Sequence, residues 1–205
     1  MICDVHVLTL ETDNKDWLNQ CLSSLEPEPV NVHLIPGIVG HIGKGRAAGF
    51  SAGSSPFVSF VDSDDYVMPG AFKRAVDKLE SNPNLSAVCS AEQVMDEDGN
   101  VTKQNKYSND YDELTQGQFL LYVHHLVVLR RSAIEQYLDF IADIPNRCEF
   151  CTWAEMMYDG HEFGYVDSVD YSWRYRAGSA KHSVPVDKRH MNQFTNRRKA
   201  ILDRS

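Results

Sequence analysis

Short apolar stretches alternate with helical segments over the first third of the chain, and this alternation constrains the fold more than any other feature. The stretches "VHVLTL", "VNVHLI" and "FVSFVD" predict buried strands, and "NKDWLNQCLSSL" carries apolar side chains at helical spacing. "GAFKRAVDKLESNP" predicts a helix that begins at a Pro-Gly turn and ends before Pro83. Strands that alternate with helices predict an α/β fold, in which helices cover both faces of a mostly parallel central sheet.

The segments between and after these elements are less regular. "PGIVGHIGKG" predicts a glycine-rich loop, and "RAAGFSAGSS" after it predicts a short helix. "LSAVCSAEQVMDEDGNVTKQ" predicts two strands joined by an Asp-Gly turn. "HHLVVLRRSAIEQYL" predicts a strand and a helix, "CEFCTWAEMMYDG" a helix that ends near Gly160, and "EFGYVDSVDYSWRYR" an extended segment. The basic stretch "KRHMNQFTNRRKAILDRS" is interpreted as a C-terminal helix or tail.

Composition and charge exclude several classes of protein. A length of 205 residues favours one domain. The net charge of −9 argues against a chain that binds nucleic acid or an anionic membrane with its whole surface. No apolar run approaches the ~20 residues of a transmembrane helix, and the N-terminus reads as a strand rather than a signal peptide. Five cysteines, an odd number, favour free thiols in a reducing compartment, so we expect a cytoplasmic protein.

Three carboxylates follow the third predicted strand, in "FVSFVDSDDYVMPGAF". Like charges this close repel, so Asp62, Asp64 and Asp65 require a positive partner. Ligands of open α/β sheets bind at the carboxyl ends of strands, and a period of two places Asp62 and Asp64 on the same side. Such a pair predicts a Mg²⁺ or Mn²⁺ site that shares its coordination with substrate phosphates. The alternative is a set of solvated turn residues.

From about Val5 to about Ser183, five segments in order resemble the inverting family-2 glycosyltransferases of the GT-A fold. "VHVLTLETDNKDWLNQCLSSL" resembles their first strand and helix, and "GKGRAAGFSAGSSPFVSFVDSDD" resembles their basic segment and metal-binding strand. "LVVLRRSAI" resembles a later strand, "CEFCTWAEMMYDGHEFGYVD" the helix of the acidic catalytic pair, and "YSWRYRAGSAKHS" the segment that closes over the nucleotide. The resemblance implies metal-dependent transfer of a sugar from a nucleotide sugar to an acceptor hydroxyl, with inversion at the anomeric carbon.

The resemblance also implies a division of the chain, a cofactor and partners. Residues 1–185 would form a single GT-A (Rossmann-like) domain, with residues 1–100 as the nucleotide-sugar-binding half and residues 101–185 as the acceptor half. Residues 186–205 would form the basic C-terminal helix or tail. The cofactor would be Mn²⁺ or Mg²⁺, and a UDP-sugar is the default donor. The acceptor would be a glycan, a lipid-linked group or another hydroxyl, and a homo-oligomer is left open.

Four residues are assigned to the donor by this resemblance. Asp62 is expected near the sugar and the ribose, and Asp64 is expected to be the firmer metal ligand. Arg46 matches a recurrent arginine of the family. Lys44 and Arg46 are expected to reach phosphates or to position Asp62, and surface solubility is the alternative explanation of both charges.

Glu149 is the candidate general base. It falls where the family has the second acid of its Glu-Asp pair, counted back from Trp153 and Gly160, whereas Cys148 replaces the first acid. The residues also favour it directly, because the first turn of a helix stabilises a carboxylate and Trp153 follows at i+4. Trp153 forms an apolar stripe with Phe150 and Met157 that is expected to anchor the helix, and it is also counted with the substrate-binding residues. Glu155 falls on the outer side of the helix and is expected to be solvated.

Two further places depart from the pattern of the family. Arg176 stands where the family often has a metal-binding histidine, and its forked donors suit a phosphate. His182, six residues on, is a candidate metal ligand, with a solvated loop histidine as the alternative. The second strand lacks the aspartate that reads the nucleotide base, so Thr9, Glu11 and the backbone near Pro36 are expected to contact that base.

Other interpretations remain open. "CEFC" matches a redox pair or half a zinc site, but no second close pair follows, so two partly buried thiols are favoured. His124 and His125 would line the acceptor pocket or be structural. The chain would alternatively be a nucleotide-sugar-binding module without turnover, or a viral-type enzyme that glycosylates modified DNA bases with its basic tail along the phosphates. A nucleotidyltransferase would need a glycine-rich loop near the first strand, where "TLETDN" stands.

Overall fold

A computed structural model describes residues 1–105, 123 and 125–176 of the protein. Its strands are β1 (Cys3–Thr9), β2 (Val30–Pro36), β3 (Phe57–Asp62), β4 (Tyr66–Val67), β5 (Leu85–Met95), β6 (Val101–Asn105), β7 (Val127–Arg130) and β8 (Glu162–Arg174). Its helices are α1 (Lys15–Leu25), α2 (Ile42–Phe50), α3 (Ala71–Ser81), α4 (Arg131–Ile134), α5 (Leu138–Asp143) and α6 (Cys148–Tyr158), and a 3₁₀ turn (Glu135–Tyr137) joins α4 to α5. No helix within these ranges is long and apolar enough to cross a membrane.

The strands form one sheet in the order β2-β1-β3-β7-β5-β8-β4, and β6 pairs with the far part of β5. Pairing is parallel at β2-β1-β3 and at β5-β8, and antiparallel at β3-β7, β7-β5, β5-β6 and β8-β4. The predicted α/β fold is confirmed. The sheet is more mixed than predicted, because antiparallel neighbours such as β5 and β6 need only a short turn, whereas parallel strands need a long crossover.

Successive residues of β3 show how the two faces of the sheet are covered. Val58 and Phe60 pack on one face with apolar side chains of α2, α5 and α6. Phe57 and Val61 pack on the other face with those of α1 and α3. Because side chains alternate along a strand, the continuous apolar run "FVSFV" supplies both cores. The third strand is therefore central in the sheet, and its last residue, Asp62, lies at the end of the sheet where β1 and β3 have their C-termini.

Helix α2 begins inside the segment that the sequence predicted as a glycine-rich loop. The prediction holds for residues 36–41 and is wrong from Ile42 onward. The glycines serve close packing instead of loop formation. A Cβ on Gly43 would collide with the carbonyl oxygens of Ile141 and Ile144, and a Cβ on Gly49 would collide with the ring of His6. The helix can therefore lie directly against β1 and against the chain between α5 and α6.

Buried polar contacts stabilise the N-terminal end of β1, at the opposite end of the parallel strands from Asp62. The carboxylate of Asp4, at the start of β1, accepts hydrogen bonds from Asn31 Nδ2 (2.8 Å), the Ser55 N–H (2.7 Å) and Arg131 Nη2 (2.6 Å). Burial alone would raise the pKa of Asp4, but hydrogen bonds from Asn31, Ser55 and His33 hold it well below its ordinary value. Arg131 thus neutralises a buried carboxylate and has a structural role.

The neighbouring Arg130 is structural as well. Its Nη2 donates to the carbonyl of Leu79 (2.6 Å) at the end of α3, and its Nε donates to the carbonyl of Leu85 (2.8 Å) at the start of β5. Carbonyls at a helix C-terminus have no partner within the helix, and a cation there is favoured by the helix dipole. The "RR" pair therefore ties β7 to the elements on either side of it.

Candidate active site

The turn after β3 is held by residues at the far end of β8. The hydroxyl of Tyr171 accepts from the Asp62 N–H (3.1 Å) and donates to Asp65 Oδ2 (2.8 Å). The other carboxylate oxygen of Asp65 accepts from the Arg174 N–H (2.7 Å). Burial, and then the charges of Asp64 and Asp62, raise the pKa of Asp65 well above its ordinary value. Both oxygens of Asp65 are therefore committed to holding the turn.

Arg46 supplies a positive partner to the first carboxylate of the turn. This residue of α2 is only 2% exposed, and its guanidinium lies 3.8 Å above the ring of Phe60. Its Nη2 donates to Asp62 Oδ1, and its Nε donates to Glu149 Oε1 (2.6 Å). Burial alone would lower the pKa of Arg46, but the charges of Asp62 and Glu149 raise it above its ordinary value. One buried cation thus joins the end of β3 to the first turn of α6.

Arg176 supplies a positive partner to the second carboxylate. Its Nη2 lies 2.6 Å from Asp64 Oδ2, just beyond the end of β8. Burial and the charge of Asp62 raise the pKa of Asp64, and the Arg176 guanidinium acts in the opposite direction. The sequence prediction that the acidic turn needs positive partners is therefore met by two arginines.

His125 lies on the other side of Asp62. Its ring stacks on Tyr171 at a centroid distance of 4.6 Å, and its Nε2 is 3.9 Å from Asp62 Oδ2. Asp62, Asp65 and His125 each bring one ligand atom to within 4.8 Å of the others. Carboxylate oxygens are the ligands that Mn²⁺ and Mg²⁺ prefer, so the acidic turn fits such an ion chemically. This grouping differs from the predicted set of Asp62, Asp64 and His182, and His182 lies outside the described residues.

The other predicted site residues fall in different surroundings. Thr9 ends β1 and Glu11 is exposed just beyond it, at the edge of the sheet that carries Asp62. Lys44 is exposed on α2, in agreement with the solubility alternative. Glu155 is half-buried rather than solvated as expected.

Trp153 is misassigned by the sequence analysis. It is 1% exposed and packs between Phe50 and Phe163, with ring centroids 6.3 Å from each. A side chain with so little exposed surface anchors α6 in the core and does not face a substrate. The spacing from Glu149 to Trp153 correctly indicated that Glu149 precedes a buried residue by one turn.

The cysteines of "CEFC" are buried thiols, the interpretation favoured over a redox pair or half a zinc site. Cys148 and Cys151 are buried free thiols on α6, and Cys3, Cys21 and Cys89 are also buried and free. Burial, and then the charge of Glu149, raise the pKa of Cys148 well above its ordinary value. A neutral buried thiol is unreactive, so the place of the first acid of the pair is filled by a packing residue.

Tyr171 and Arg174 were missed as site residues by sequence reasoning. Both lie in the extended segment "DYSWRYR", where alternation places residues 171, 173 and 175 on one side, but nothing in that pattern identifies a partner turn. His124 lies outside the described residues. His125 is buried beside Asp62 and stacks on Tyr171, and its predicted contact with the acceptor stays a prediction.

The sequence matches the family model of Glycosyl transferase family 2 over residues 4–138, and the chain belongs to this family. Its fold is that of a GT-A glycosyltransferase domain. No curated protein is significantly similar to it in sequence.

Solved structures of S. aureus TarS share the fold. Residues 1–349 of TarS in complex with UDP-GlcNAc align with 96% of this chain at 14% identity and a TM-score of 0.74, over 66% of that chain. The complex of TarS 1–349 with UDP aligns with 97% of this chain at 13% identity and a TM-score of 0.70, over 64% of that chain. A further crystal structure of S. aureus TarS aligns with 96% of this chain at 14% identity and a TM-score of 0.66, over 43% of that chain. The chain thus spans less than two thirds of each.

Proposed function

We propose that this chain is a glycosyltransferase that moves a sugar from a nucleoside-diphosphate sugar to an acceptor hydroxyl, with inversion at the anomeric carbon. The observation that carries the proposal is the bridge made by Arg46 between Asp62 and Glu149. These two carboxylates were assigned from unrelated parts of the sequence, one to the donor and one to proton transfer. They meet on a single guanidinium at the edge of the sheet, where α/β proteins bind their ligands.

Asp62 and Asp64 are proposed to hold a divalent cation, Mn²⁺ or Mg²⁺. Asp65 is the less suitable ligand, because Tyr171 and Arg174 already occupy its two oxygens. A divalent cation, when bound, neutralises the charge that develops on the departing diphosphate. Arg176, with five donors in a planar fork, is the candidate residue of this chain for a direct contact with a phosphate.

Glu149 is proposed as the general base. Its Oε1 accepts from Arg46 Nε, which holds the carboxylate in one orientation, and its Oε2 is proposed to take the proton of the acceptor hydroxyl. The side chain is 21% exposed, so it is accessible without being fully solvated. A positioned carboxylate of this kind is typically worth about 10²–10⁴-fold in rate.

The donor is proposed to be a UDP-sugar, because TarS was crystallised with UDP-GlcNAc and with UDP. The halves 1–100 and 101–185 are retained as the donor and acceptor halves. Arg46 and Asp62 come from the first half, and Glu149 comes from the second. The acceptor class and the contribution of residues 186–205, which lie outside the described part of the chain, stay predictions.

The test is binding and turnover of UDP-GlcNAc with Mn²⁺ present. UDP at a hundred times its dissociation constant should add about 2.7 kcal/mol to the free energy of unfolding, and UDP-GlcNAc should be consumed with release of UDP. Asp62→Asn should remove the Mn²⁺-dependent part of both signals. Asp77→Asn, an exposed carboxylate on α3, is the matched control. Binding of UDP without any turnover, across a panel of acceptors, would favour a nucleotide-sugar-binding module instead.

A further inference from the structure

The two ion pairs of the acidic turn differ in how firmly they are built. The Arg46 side chain is 3% exposed, touches two carboxylates and rests on the Phe60 ring. The Arg176 side chain is 38% exposed and pairs with Asp64, which is itself 20% exposed. Among the described residues, Arg176 has one partly hydrated carboxylate partner, and a guanidinium exchanges such a partner at much smaller cost than a buried guanidinium with two. Arg46 is therefore a fixed part of the site, and Arg176 is the exchangeable cation.

Trp17 provides a platform beneath the exchangeable cation. The Cζ of Arg176 lies 5.6 Å from the centroid of the Trp17 ring, within the range of a cation–π contact. Trp17 lies in the first turn of α1, where its backbone N–H donates to Oδ1 of the capping residue Asn14 (3.2 Å). The platform belongs to the rigid body of the fold, so Arg176 can leave Asp64 without leaving its support.

Arg174 is a second cation on the Trp17 ring, and it links that ring to the acidic turn. Its Cζ lies 4.8 Å from the Trp17 centroid. Its Nε donates to the Asp64 carbonyl (2.9 Å), and its Nη2 donates to Gln20 Oε1 (2.6 Å) on α1. Arg174 is buried and tied to both ends of this contact, so the position of Trp17 relative to Asp64 is set by the fold.

We propose that Arg176 is a built-in counter-cation of Asp64, which it releases when a divalent cation and a diphosphate bind, and that Trp17 positions it for both partners. The proposal rests on the proposed function and adds an exchange step to it. A guanidinium and a divalent cation compete for the same carboxylate oxygen, so Arg176 weakens binding of the cation alone. The same guanidinium favours binding of a diphosphate, because charge-assisted fork contacts to phosphate are strong.

Such an exchange couples the two ligands. A diphosphate that draws Arg176 away from Asp64 strengthens cation binding there, and the cation strengthens diphosphate binding by the same factor, since coupling free energies are reciprocal. Removing the Arg176 guanidinium should therefore strengthen the binding of the cation alone and weaken the binding of the diphosphate. A loss of folding or a general disturbance of the site would weaken both, so opposite signs identify the exchange.

The experiment measures Mn²⁺ alone by electron paramagnetic resonance of the free ion, and UDP with saturating Mn²⁺ by calorimetry, on the full chain. Arg176→Ala should bind Mn²⁺ alone about threefold to tenfold more tightly and UDP more weakly by a similar factor. Arg176→Lys should retain weak Mn²⁺ binding, because an ammonium still competes for Asp64. Lys73→Ala, which removes one exposed positive charge on α3, should leave both affinities unchanged.

Trp17 is tested with two variants. Trp17→Leu removes the platform and should weaken UDP binding, while Trp17→Phe, which keeps a ring face, should restore most of it. Equal Mn²⁺ affinity in wild type and Arg176→Ala would overturn the exchange, and it would leave the proposed function intact if UDP binding still depends on Mn²⁺. Wild-type protein that binds UDP with no effect of Mn²⁺ would overturn both the exchange and the metal dependence of the proposed function.

Discussion

Replacing Arg46 by methionine removes the guanidinium that joins Asp62 to Glu149 and keeps an apolar side chain of similar length against Phe60. Two charge-assisted hydrogen bonds are lost, each typically worth about 1.5–3 kcal/mol, together with a cation–π contact worth about 0.5–2 kcal/mol. The Asp62 and Glu149 side chains are 34% and 21% exposed, so water recovers part of this loss. We expect Arg46→Met to lower the free energy of unfolding by about 3 kcal/mol, which is the low end of the range for a broken buried ion pair.

Urea denaturation measures this destabilisation, and a thermal scan should show a melting temperature lower by roughly 6–12 °C for a domain of this size. Turnover should fall as well, because Glu149 loses the donor that orients it. Arg46→Lys should recover part of the stability but little of the turnover, since one ammonium cannot donate to both carboxylates in the geometry of a planar fork.

Arg74→Met is the matched control. Arg74 also pairs with a buried carboxylate, that of Asp170 (2.5 Å), but on α3 and β8, away from the acidic turn. It should lower stability and leave turnover near wild type. Wild-type turnover in a folded Arg46→Met variant would refute the reasoning, because Asp62 and Glu149 would then not depend on their shared partner.

Two further predictions concern Asp64, just after the C-terminal end of β3, and Asp4, at the N-terminal end of β1. Asp64→Asn should abolish the Mn²⁺-dependent part of UDP binding with the fold intact, and calorimetry that gives wild-type UDP affinity with Mn²⁺ present would contradict it. Asp4→Asn should cost about 3–5 kcal/mol in urea denaturation, because it removes the carboxylate that neutralises the Arg131 guanidinium and leaves that cation with backbone carbonyls only, and it should spare UDP binding. The folded-state pKa of Asp4 is lowered, so its stabilisation is present at neutral pH and is lost as pH falls below about 4. A variant whose stability shows the same acid dependence as wild type would exclude Asp4 as its source.

The order of most strands and helices in the described residues was predictable, because those elements carry their own periodicity and their own breakers. The short strand β4 and the helix α5 were not predicted. The start of helix α2 was not predictable, because glycine occurs both in loops and where a helix packs closely on its neighbours, and the sequence alone does not distinguish these two uses. In "GHIGKGRAAG" the glycines allow backbone approach to Ile141 and His6, which are distant in the sequence. The mixed sheet escaped prediction for a similar reason, since β7 enters between β3 and β5 through long-range pairing.

Three residues of the candidate site were singled out from the sequence, whereas their connections and several other residues around the acidic turn were not. Arg46, Asp62 and Glu149 were each singled out by motif or resemblance, yet nothing local indicates that one guanidinium contacts carboxylates 16 and 103 residues away. The side chain of Tyr171 was missed because its partner is the turn after β3. Trp153 was misassigned because proximity to Glu149 on a helix does not reveal whether the neighbour faces the site or the core.

The central claim is that Glu149 accepts the proton of the acceptor in a site completed by Arg46 and Asp62. Steady-state turnover of Glu149→Gln, measured beside its UDP affinity, tests it most directly, because glutamine keeps the Oε1 acceptor for Arg46 and removes the base. Glu155→Gln on the same helix is the control and should stay near wild type. We expect kcat of Glu149→Gln to fall about 10²–10⁴-fold while its UDP affinity is unchanged. A folded Glu149→Gln variant with wild-type kcat would contradict it.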